Sequence, residues 1–166
     1  MSEIIKVNND KDSYDIFIEK DFSRLADKLS SAGITAESRI CISTDSSVDS
    51  LYSEEVCDLL RKKYGTVVKF VFPEGEKSKS LDTVRELYRF LIENHFDRHD
   101  CLAALGGGVT GDMTGFAAAT YMRGIRFVQI PTTLLSCTDS SIGGKTGVDF
   151  DEYKNMVGAF HMPSLV

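Results

Sequence analysis

Hydrophobic and polar positions along this chain alternate between two periods, one typical of strands and one typical of helices. The strand-like runs are short, apolar and rich in β-branched residues. They cover Tyr14–Glu19, Arg39–Ser43, Val67–Phe72, Cys101–Leu105 and Phe127–Ile130. Helical spacing separates most of these runs. Repeated β–α alternation predicts an α/β fold, with a mostly parallel sheet flanked by helices on both faces.

The helices are predicted from apolar residues that recur on one face. The clearest helix extends from about Leu81 to Asn94, and Ser80 is suited to cap its N-terminus. Its predicted apolar stripe consists of Val84, Leu87, Tyr88, Leu91 and Ile92. A helix is also expected over Phe22–Ser31. Another is expected to carry Val48, Leu51, Val56, Leu59 and Leu60 near one face.

The chain has 166 residues, of which 42% are hydrophobic, enough for one domain with its own core. Its last residues, Pro163–Val166, resemble the beginning of another apolar strand. Natural domains rarely end by starting a strand. We therefore expect the sequence to be truncated.

Composition excludes several classes of function. The net charge of −6 argues against nucleic-acid binding, which depends on clustered Lys and Arg. No apolar run is long enough to span a bilayer, and the N-terminus lacks the basic and apolar regions of a signal peptide. The four scattered cysteines, Cys41, Cys57, Cys101 and Cys137, contain no C-x-x-C pair. We expect reduced, mostly buried thiols in a cytoplasmic protein.

A glycine-rich turn follows the fourth strand-like run. Gly106, Gly108 and Gly111 match the spacing G-x-G-x-x-G, which alone is a weak signal. Glycines let the backbone approach a ligand closely, and the N-terminus of the following helix favours a phosphate. A dinucleotide-binding βα unit also needs an acidic residue about 20 positions later, where this chain has Arg123. We therefore expect a turn that binds pyrophosphate, but not the standard first unit of a Rossmann domain.

Two threonines, Thr132 and Thr133, follow the next strand-like run directly. The simplest interpretation is that they cap the next helix. They are also expected at the same sheet edge as the glycine turn, where open α/β sheets bind their ligands. A second role in binding is therefore compatible with the pattern.

The segment Asp139–Gly147 superficially resembles a P-loop. A P-loop needs a glycine six positions before its lysine, whereas Asp139 stands there and would repel phosphates. We instead expect a loop that pairs Asp139 with Lys145, close to Lys154 and Asn155. Such groups suit an anion with several hydroxyls. A solvated, glycine-rich loop without a ligand explains the composition equally well.

Taken together, these motifs resemble those of 3-dehydroquinate synthase. The resemblance covers most of the chain and is most specific over Leu105–Phe160. Residues Pro73–Leu81 also resemble the family's P-x-G-E-x-x-K-S-L segment. The resemblance to this family implies that residues 1–166 form a Rossmann-like, NAD-binding N-terminal domain of a two-domain enzyme. The C-terminal helical, metal-binding domain is then absent from this sequence.

The resemblance also implies roles for individual residues. Asp45 would contact the adenosine end of NAD, and Arg123 would serve the phosphate site of a neighbouring subunit in a homodimer. The other NAD-binding residues would be Glu74, Glu76, Lys79, Gly107, Gly108, Val109, Thr110, Gly111, Asp112, Thr132 and Thr133. The substrate would contact Asp139, Lys145, Lys154 and Asn155. Cys137 and Asp149 stand where we expect other residues in the family.

The implied reaction converts the sugar-acid phosphate DAHP (3-deoxy-D-arabino-heptulosonate 7-phosphate) to 3-dehydroquinate and phosphate in the shikimate pathway. NAD accepts and returns a hydride, and zinc or cobalt polarises the reacting oxygens. The metal ligands of the family, one Glu and two His, lie in the C-terminal domain. His95, His99 and His161 do not replace them, because the first two lie in a polar, loop-like stretch. We therefore expect this chain alone to be inactive.

Three alternatives remain at this stage. Iron-dependent alcohol and glycerol dehydrogenases share the glycine turn, and cyclitol-forming sugar-phosphate cyclases share the overall pattern. Both usually differ in the segment Asp139–Gly147, which argues against them. The third alternative is a stand-alone module that only binds a dinucleotide.

Overall fold

The computed structural model of the protein describes residues 3–8 and 13–166. The strands are β1 (Glu3–Asn8), β2 (Ser13–Ile18), β3 (Ile40–Asp45), β4 (Val67–Phe72), β5 (Cys101–Gly106), β6 (Arg126–Pro131), β7 (Lys145–Phe150) and β8 (Tyr153–Phe160). The α-helices are α1 (Leu25–Ser31), α2 (Ser46–Val48), α3 (Glu54–Arg61), α4 (Leu81–Glu93) and α5 (Gly108–Thr120). Short 3-10 helices cover Glu76–Ser78 and Tyr121–Arg123, and π-helical turns cover Asp49–Ser53 and Ser136–Ser140. All five strands predicted from hydrophobic runs are present.

The central sheet is parallel, with the strand order β4-β3-β5-β6. One of its two inner strands, β5, is buried along its whole length. This explains why the sequence of β5 is a continuous apolar run instead of an alternating one. The observed topology confirms the predicted α/β fold, with a mostly parallel sheet and helices on both faces.

The last residues of the chain extend this sheet. Leu165 forms parallel bridges with Val128 of β6 and with Asp15 of β2. The Phe17 amide also donates to the Val166 carbonyl at 2.7 Å. These bridges join the antiparallel β1–β2 hairpin to the edge of the parallel sheet. The predicted strand-like character of Pro163–Val166 is therefore correct for its final residues.

Each face of the sheet has its own core. On β3, Ile40 and Ile42 pack on one side with Leu29 of α1 and Leu60 of α3, while Cys41 packs on the other. The same alternation divides β5 between the two faces, because successive strand residues point to opposite sides. Helices α1 and α3 thus cover one face, and α4 and α5 cover the other.

The helical segment after β3 departs from the predicted pattern. Val56 and Leu60 are buried, but Leu51 is 67% exposed, so its predicted place on the apolar face is wrong. The π-helical turn Asp49–Ser53 explains the difference. A π turn contains an additional residue and rotates the side chains before it relative to those after it. Ser53, which precedes the buried Val56 by three residues, is buried on the face that contacts the sheet.

Helix α4 matches its predicted start, and the Ser80 hydroxyl accepts a hydrogen bond from the Thr83 amide at 3.3 Å. Val84, Leu87 and Leu91 are fully buried, but Ile92 is 63% exposed, so the predicted stripe is too wide. At about 100° per residue, Ile92 lies roughly 80° around the helix from Val84. It therefore lies beyond the edge of the face that contacts the sheet.

Helix α5 is buried on nearly every side, because it lies between the sheet and the β7–β8 hairpin. Its small residues make this packing possible. A Cβ on Gly115 would lie 2.5 Å from the Thr146 methyl group and 3.0 Å from the Phe127 ring. The hairpin itself was not predicted. The expected loop over Asp139–Gly147 is wrong from Lys145 onward, since that residue begins β7.

The burial of the cysteines agrees with the sequence analysis. Cys41, Cys57 and Cys101 are buried, Cys137 is exposed, and all four are unpaired. Burial raises the pKa of the Cys101 thiol to about 12. Over residues 3–8 and 13–166, no helix combines the length and apolar character needed to cross a bilayer.

Leu87 and Ile92, at opposite margins of the predicted apolar stripe of α4, provide a test of this packing. We expect Leu87→Ala to lower the free energy of unfolding by about 2–5 kcal/mol, because it opens a cavity beneath α4. Ile92→Ala, on the exposed side of the same helix, serves as the control and should cost less than about 0.5 kcal/mol. Urea denaturation of both variants measures the difference. Equal losses would contradict the observed orientation of α4.

Candidate functional site

Three neighbouring parallel strands end at the same edge of the sheet. Strand β3 ends at Asp45, β5 at Gly106 and β6 at Pro131. The connections after these strands therefore meet at the carboxyl edge, where open α/β sheets form their ligand sites. Most of the residues singled out in the sequence lie there.

The glycine turn places the start of α5 at this edge. Gly107 is the N-cap residue, and within the described part of the chain no side-chain hydrogen bond caps the first turn of the helix. The first amide groups have no partner within the helix, and the helix dipole adds positive potential. A Cβ on Gly107 would lie 3.2 Å from the Thr133 methyl group, and one on Gly108 would lie 3.1 Å from the Ser140 hydroxyl. Glycine at both positions therefore lets Thr133 and Ser140 pack closely against the turn, whose first amides are suited to an anionic group.

Two other glycines near this turn are required by packing. A Cβ on Gly106 would lie 2.4 Å from the Thr110 hydroxyl, and one on Gly111 would lie 2.5 Å from the Gln129 amide oxygen. Val109 packs its side chain against the core that α5 helps to form. Among the predicted NAD-binding residues, Gly111 and Val109 therefore have structural roles that do not need a ligand.

Asp45 joins β3 to the start of α5. Its carboxylate accepts hydrogen bonds from the Ser47 and Val48 amides, both at 3.0 Å, and so caps α2. It also accepts a hydrogen bond from the Thr110 hydroxyl at 3.4 Å. The carboxylate is thus held in place beside the glycine turn, as expected for a residue that binds one end of an extended ligand.

The two threonines after β6 differ in their contacts. The Thr133 hydroxyl accepts a hydrogen bond from the Ser136 amide at 3.2 Å, so the capping interpretation is correct for Thr133. The Thr132 amide donates to the Gly106 carbonyl at 3.0 Å, but its buried hydroxyl oxygen has no partner among the described residues. The Ser140 hydroxyl is in the same situation. Buried, unpaired hydroxyls are costly, which makes both of them candidates for contact with a ligand.

Lys79 lies at the centre of a polar cluster beside the glycine turn. Its ammonium donates to the Asp112 carboxylate and to the Asn155 side-chain oxygen, both at 2.6 Å. Lys79 is only 6% exposed, so these partners replace the water that it has lost. Burial raises the pKa of Asp112, and the hydrogen bond from Lys79 opposes that rise.

A second lysine continues the cluster towards solvent. The Lys154 ammonium lies 2.5 Å from a Glu76 carboxylate oxygen and 2.9 Å from one of Asp149. The other Asp149 oxygen accepts a hydrogen bond from the Asn155 amide at 2.8 Å, and this contact, together with Lys154, lowers the pKa of Asp149. We call this set the lysine cluster. Its members are Glu76, Lys79, Asp112, Asp149, Lys154 and Asn155.

A cavity of about 570 Å³ opens between the lysine cluster and the β7–β8 hairpin. Four charged or amide side chains predicted as site residues line it: Asp112, Asp139, Lys145 and Asn155. Asp139 comes from the π-helical turn before the hairpin, and Lys145 is the first residue of β7. The structure thus brings the predicted substrate residues and the predicted cofactor residues to one edge.

Two predicted residues lie apart from this arrangement. Glu74 is exposed, and its amide donates to the Ser46 hydroxyl at 3.1 Å. Arg123 is exposed in the turn after α5, whose 13 residues place it roughly 20 Å from the glycine turn. Arg123 therefore lies at the opposite edge of the sheet and does not join the lysine cluster.

Sequence reasoning missed the roles of Asp149 and Ser140. Asp149 was noted only as a departure from the family pattern, and Ser140 lies in a segment with several hydroxyl residues. The only signal for Ser140 was its position within Asp139–Gly147. Nothing in the sequence distinguishes it from Ser141, whose hydroxyl is not among the buried, unpaired ones of the described residues.

No metal centre is formed by the described residues. In residues 3–8 and 13–166, no three His, Cys, Asp or Glu side chains are grouped so that they could hold a metal ion. His95 and His99 are exposed in the segment after α4. The residues present therefore do not fit a catalytic zinc or cobalt ion.

Residues 69–166 match the family model described as 3-dehydroquinate synthase N-terminal. The chain belongs to the 3-dehydroquinate synthase family. The 3-dehydroquinate synthase of Acetivibrio thermocellus is 48% identical to it over 162 residues, which are 98% of this chain and 44% of the relative. The chain thus spans less than half the length of this relative.

Two solved structures of related synthases superimpose on nearly the whole chain. A 2-deoxy-scyllo-inosose synthase, in complex with carbaglucose-6-phosphate, NAD+ and Co2+, has a TM-score of 0.90 and 26% identity over 99% of this chain and 44% of its own. The 2-epi-5-epi-valiolone synthase from Streptomyces hygroscopicus subsp. jinggangensis, with NAD+ and Zn2+, has a TM-score of 0.78 and 34% identity over 96% of this chain and 43% of its own.

The dehydrogenase alternative shares the fold only. Glycerol dehydrogenase from Schizosaccharomyces pombe superimposes with a TM-score of 0.64 at 18% identity, over 86% of this chain and 34% of its own. Such a low identity carries no information on the reaction. The family model and the 48% identical relative favour the synthase instead.

The pairing of Lys79 with Asp112 can be tested by titration. We expect Lys79→Gln to raise the pKa of Asp112 further, because burial still disfavours the carboxylate and its charged partner is lost. The folded protein then binds more protons than the unfolded chain between the unfolded pKa of Asp112 and the raised value. The free energy of unfolding therefore falls as the pH rises through that window.

Carbon-13 NMR of the Asp112 carboxyl group measures this change. Lys77→Gln is the matched control, since Lys77 is exposed and lies two residues away. An Asp112 pKa that is unchanged in Lys79→Gln would contradict the pairing.

Proposed function

We propose that residues 1–166 are the NAD-binding N-terminal domain of a 3-dehydroquinate synthase. The complete enzyme would convert DAHP to 3-dehydroquinate and phosphate in the shikimate pathway. The observation that carries this proposal is the position of the glycine turn beside the lysine cluster at one sheet edge. Such an edge can hold a dinucleotide and an anionic sugar derivative side by side. Bound NAD supplies a reversible hydride acceptor to the reaction.

The proposed pyrophosphate site is the N-terminus of α5. The amides that follow Gly107 are proposed as donors to the phosphates, and glycine at this position and the next lets Thr133 and Ser140 lie close to the turn. The orphan hydroxyls of Thr132 and Ser140 lie beside this turn and could each complete a hydrogen bond to the ligand. Asp45 is proposed to accept hydrogen bonds from ribose hydroxyls at the adenosine end.

The proposed substrate site is the cavity beside the hairpin. Lys145 lines this cavity and supplies positive charge to it, while Lys154 lies next to the lining residue Asn155 and is paired with Glu76. Asp139 and Asn155 provide acceptors for hydroxyl groups. This combination suits DAHP, which carries a carboxylate, a phosphate and several hydroxyls.

The metal is proposed to bind outside this chain. The described residues offer no metal centre, and the chain spans 44% of the Acetivibrio thermocellus relative. We propose that a C-terminal domain supplies the ligands for zinc or cobalt. In a homodimer of complete subunits, Arg123 would contact the partner's phosphate site, which agrees with its exposed position away from the cavity. We also propose a cytoplasmic location, because none of the four cysteines is paired.

The isolated chain is expected to bind NAD weakly and to release no phosphate from DAHP. The physical reason is that it forms only one wall of the cofactor cleft and holds no catalytic metal centre. A phosphate-release assay with DAHP, NAD and zinc or cobalt measures this. Phosphate release by the chain alone would contradict the division of roles proposed here.

Activity itself can be tested in a chimera that joins this chain to the remaining part of the Acetivibrio thermocellus 3-dehydroquinate synthase. We expect the chimera to release phosphate from DAHP. Lys145→Ala should abolish turnover, a loss of roughly a hundredfold or more, because the main cation at the cavity rim is removed. Lys62→Ala, at the exposed end of α3, is the control. An active Lys145→Ala chimera would count against the substrate site, and an inactive but folded parent chimera against the proposed function.

A further inference from the structure

One member of the lysine cluster was assigned no role by the resemblance, although it contacts three residues that were. The Asp149 carboxylate accepts a hydrogen bond from the Asn155 amide at 2.8 Å and pairs with Lys154 at 2.9 Å. Its own amide donates to the Lys79 carbonyl at 2.9 Å. Its side chain is only 14% exposed. Asp149 therefore connects the hairpin to the segment that carries Lys79.

The local backbone makes these contacts specific. The pairing of β7 with β8 shifts register between Val148 and Phe150, so Asp149 lies in an irregularity of the hairpin. Such bulges redirect a side chain relative to a regular strand. Asn155 has a φ of +56°, a conformation that asparagine tolerates better than most residues. The hydrogen bond from its amide to Asp149 stabilises this conformation and so helps to direct its side chain towards Lys79.

Lys154 also depends on Asp149. Its side chain is 61% exposed, and an exposed lysine with four rotatable bonds has many conformations. The contacts with Glu76 and Asp149 restrict it to one position beside the cavity. A group that is held in its bound position before the ligand arrives loses less entropy on binding.

We propose that Asp149 is a positioning residue, which holds Lys154 and Asn155 in the geometry in which they meet the anionic groups of cofactor and substrate. This inference takes the identity of the ligand from the proposed function. The contacts that Asp149 makes with Asn155 and Lys154 do not depend on that proposal. Asp149 acts through its two neighbours and need not touch the ligand.

The charges around Lys154 affect its pKa, which can therefore be used to test the contact with Asp149. Glu76 and Asp149 contact it directly, and Lys79 and Asp112 lie one step further within the cluster. Glu76 contributes most to the raised pKa of Lys154, and Asp149 contributes next. Loss of the Asp149 charge should therefore lower the pKa of Lys154, whereas loss of a charge elsewhere in the hairpin turn should not.

Three variants separate the two contacts. Asp149→Asn keeps an oxygen that can accept from the Asn155 amide but removes the charge that holds Lys154. Asp149→Ala removes both. Asp151→Asn is the matched control: it removes the same charge two residues away, from a residue with a φ of +52° that asparagine can adopt. Over residues 3–8 and 13–166, no hydrogen bond or ion pair joins the Asp151 side chain to the lysine cluster.

NMR of the isotope-labelled 18.4 kDa chain reports on the contacts of Asp149 with Lys154 and Asn155 without any ligand. We expect the pKa of Lys154 to fall in both Asp149 variants and to stay unchanged in Asp151→Asn. Hydrogen exchange at the Asn155 amide should accelerate roughly five- to tenfold in Asp149→Ala and be largely restored in Asp149→Asn. If Asp149→Ala leaves the Lys154 pKa and the Asn155 exchange rate at their parent values, the proposal is wrong.

The effect of Asp149 on catalysis is measured in the active chimera. We expect Asp149→Ala to lower kcat/KM for DAHP roughly tenfold or more, with partial recovery in Asp149→Asn and parent values in Asp151→Asn. Equal rates for Asp149→Ala and Asp151→Asn would overturn the positioning role. A parent chimera that folds but has no activity would instead count against the proposed function. The NMR measurements would still decide whether Asp149 holds its neighbours.

Discussion

The buried ammonium group of Lys79 is the interaction on which the site depends. A lysine that is 6% exposed must replace its lost hydration with strong partners, and here they are Asp112 and Asn155. These partners come from α5 and from β8, so satisfying one charge fixes three elements relative to one another. The glycine turn, which begins α5, is held beside the hairpin by the same constraint. Removal of Asp112 would leave the Lys79 ammonium buried without an opposite charge.

Two carboxylates of the lysine cluster differ in what sets their pKa. Asp112 pairs with the buried Lys79, and burial raises the pKa of Asp112 despite the nearby ammonium. The pKa of Asp149 is instead lowered, because an amide and Lys154 stabilise its charged form. The two carboxylates therefore differ in role although they lie in one cluster. Asp112 balances the buried Lys79 charge, and Asp149 contacts Lys154 and the Asn155 amide.

Most of the fold could be predicted from the sequence, because its central strands are continuous apolar runs and α4 has a clear cap and stripe. Three features could not. The π turn that exposes Leu51 leaves no mark in the apolar spacing, and Ile92 is apolar although it lies outside the contact with the sheet. The β7–β8 hairpin is rich in glycine and charge, and its strands acquire their structure by packing on α5.

The candidate site was predicted only as far as its motifs extend. The glycine turn is predicted from a local pattern, and Lys79 and Asp112 are predicted from the resemblance to the family; the structure places them side by side. The link from Lys79 to Asn155 spans 76 positions, and no local pattern contains that information. The same applies to Asp149, whose partners are defined by the fold of the hairpin. Contacts of this kind depend on tertiary structure and cannot be derived from residue types and spacing alone.

The central claim is that the carboxyl edge of the sheet binds NAD through the glycine turn. The most direct measurement is an NMR titration of the nitrogen-15-labelled chain with NAD up to millimolar concentration. The account predicts saturable shifts of the amides of Gly107–Asp112, Thr132 and Thr133, and unchanged amides in the turn Tyr121–Arg123 at the opposite edge. A folded chain whose glycine-turn amides do not shift, or shift no more than those of Tyr121–Arg123, would contradict it.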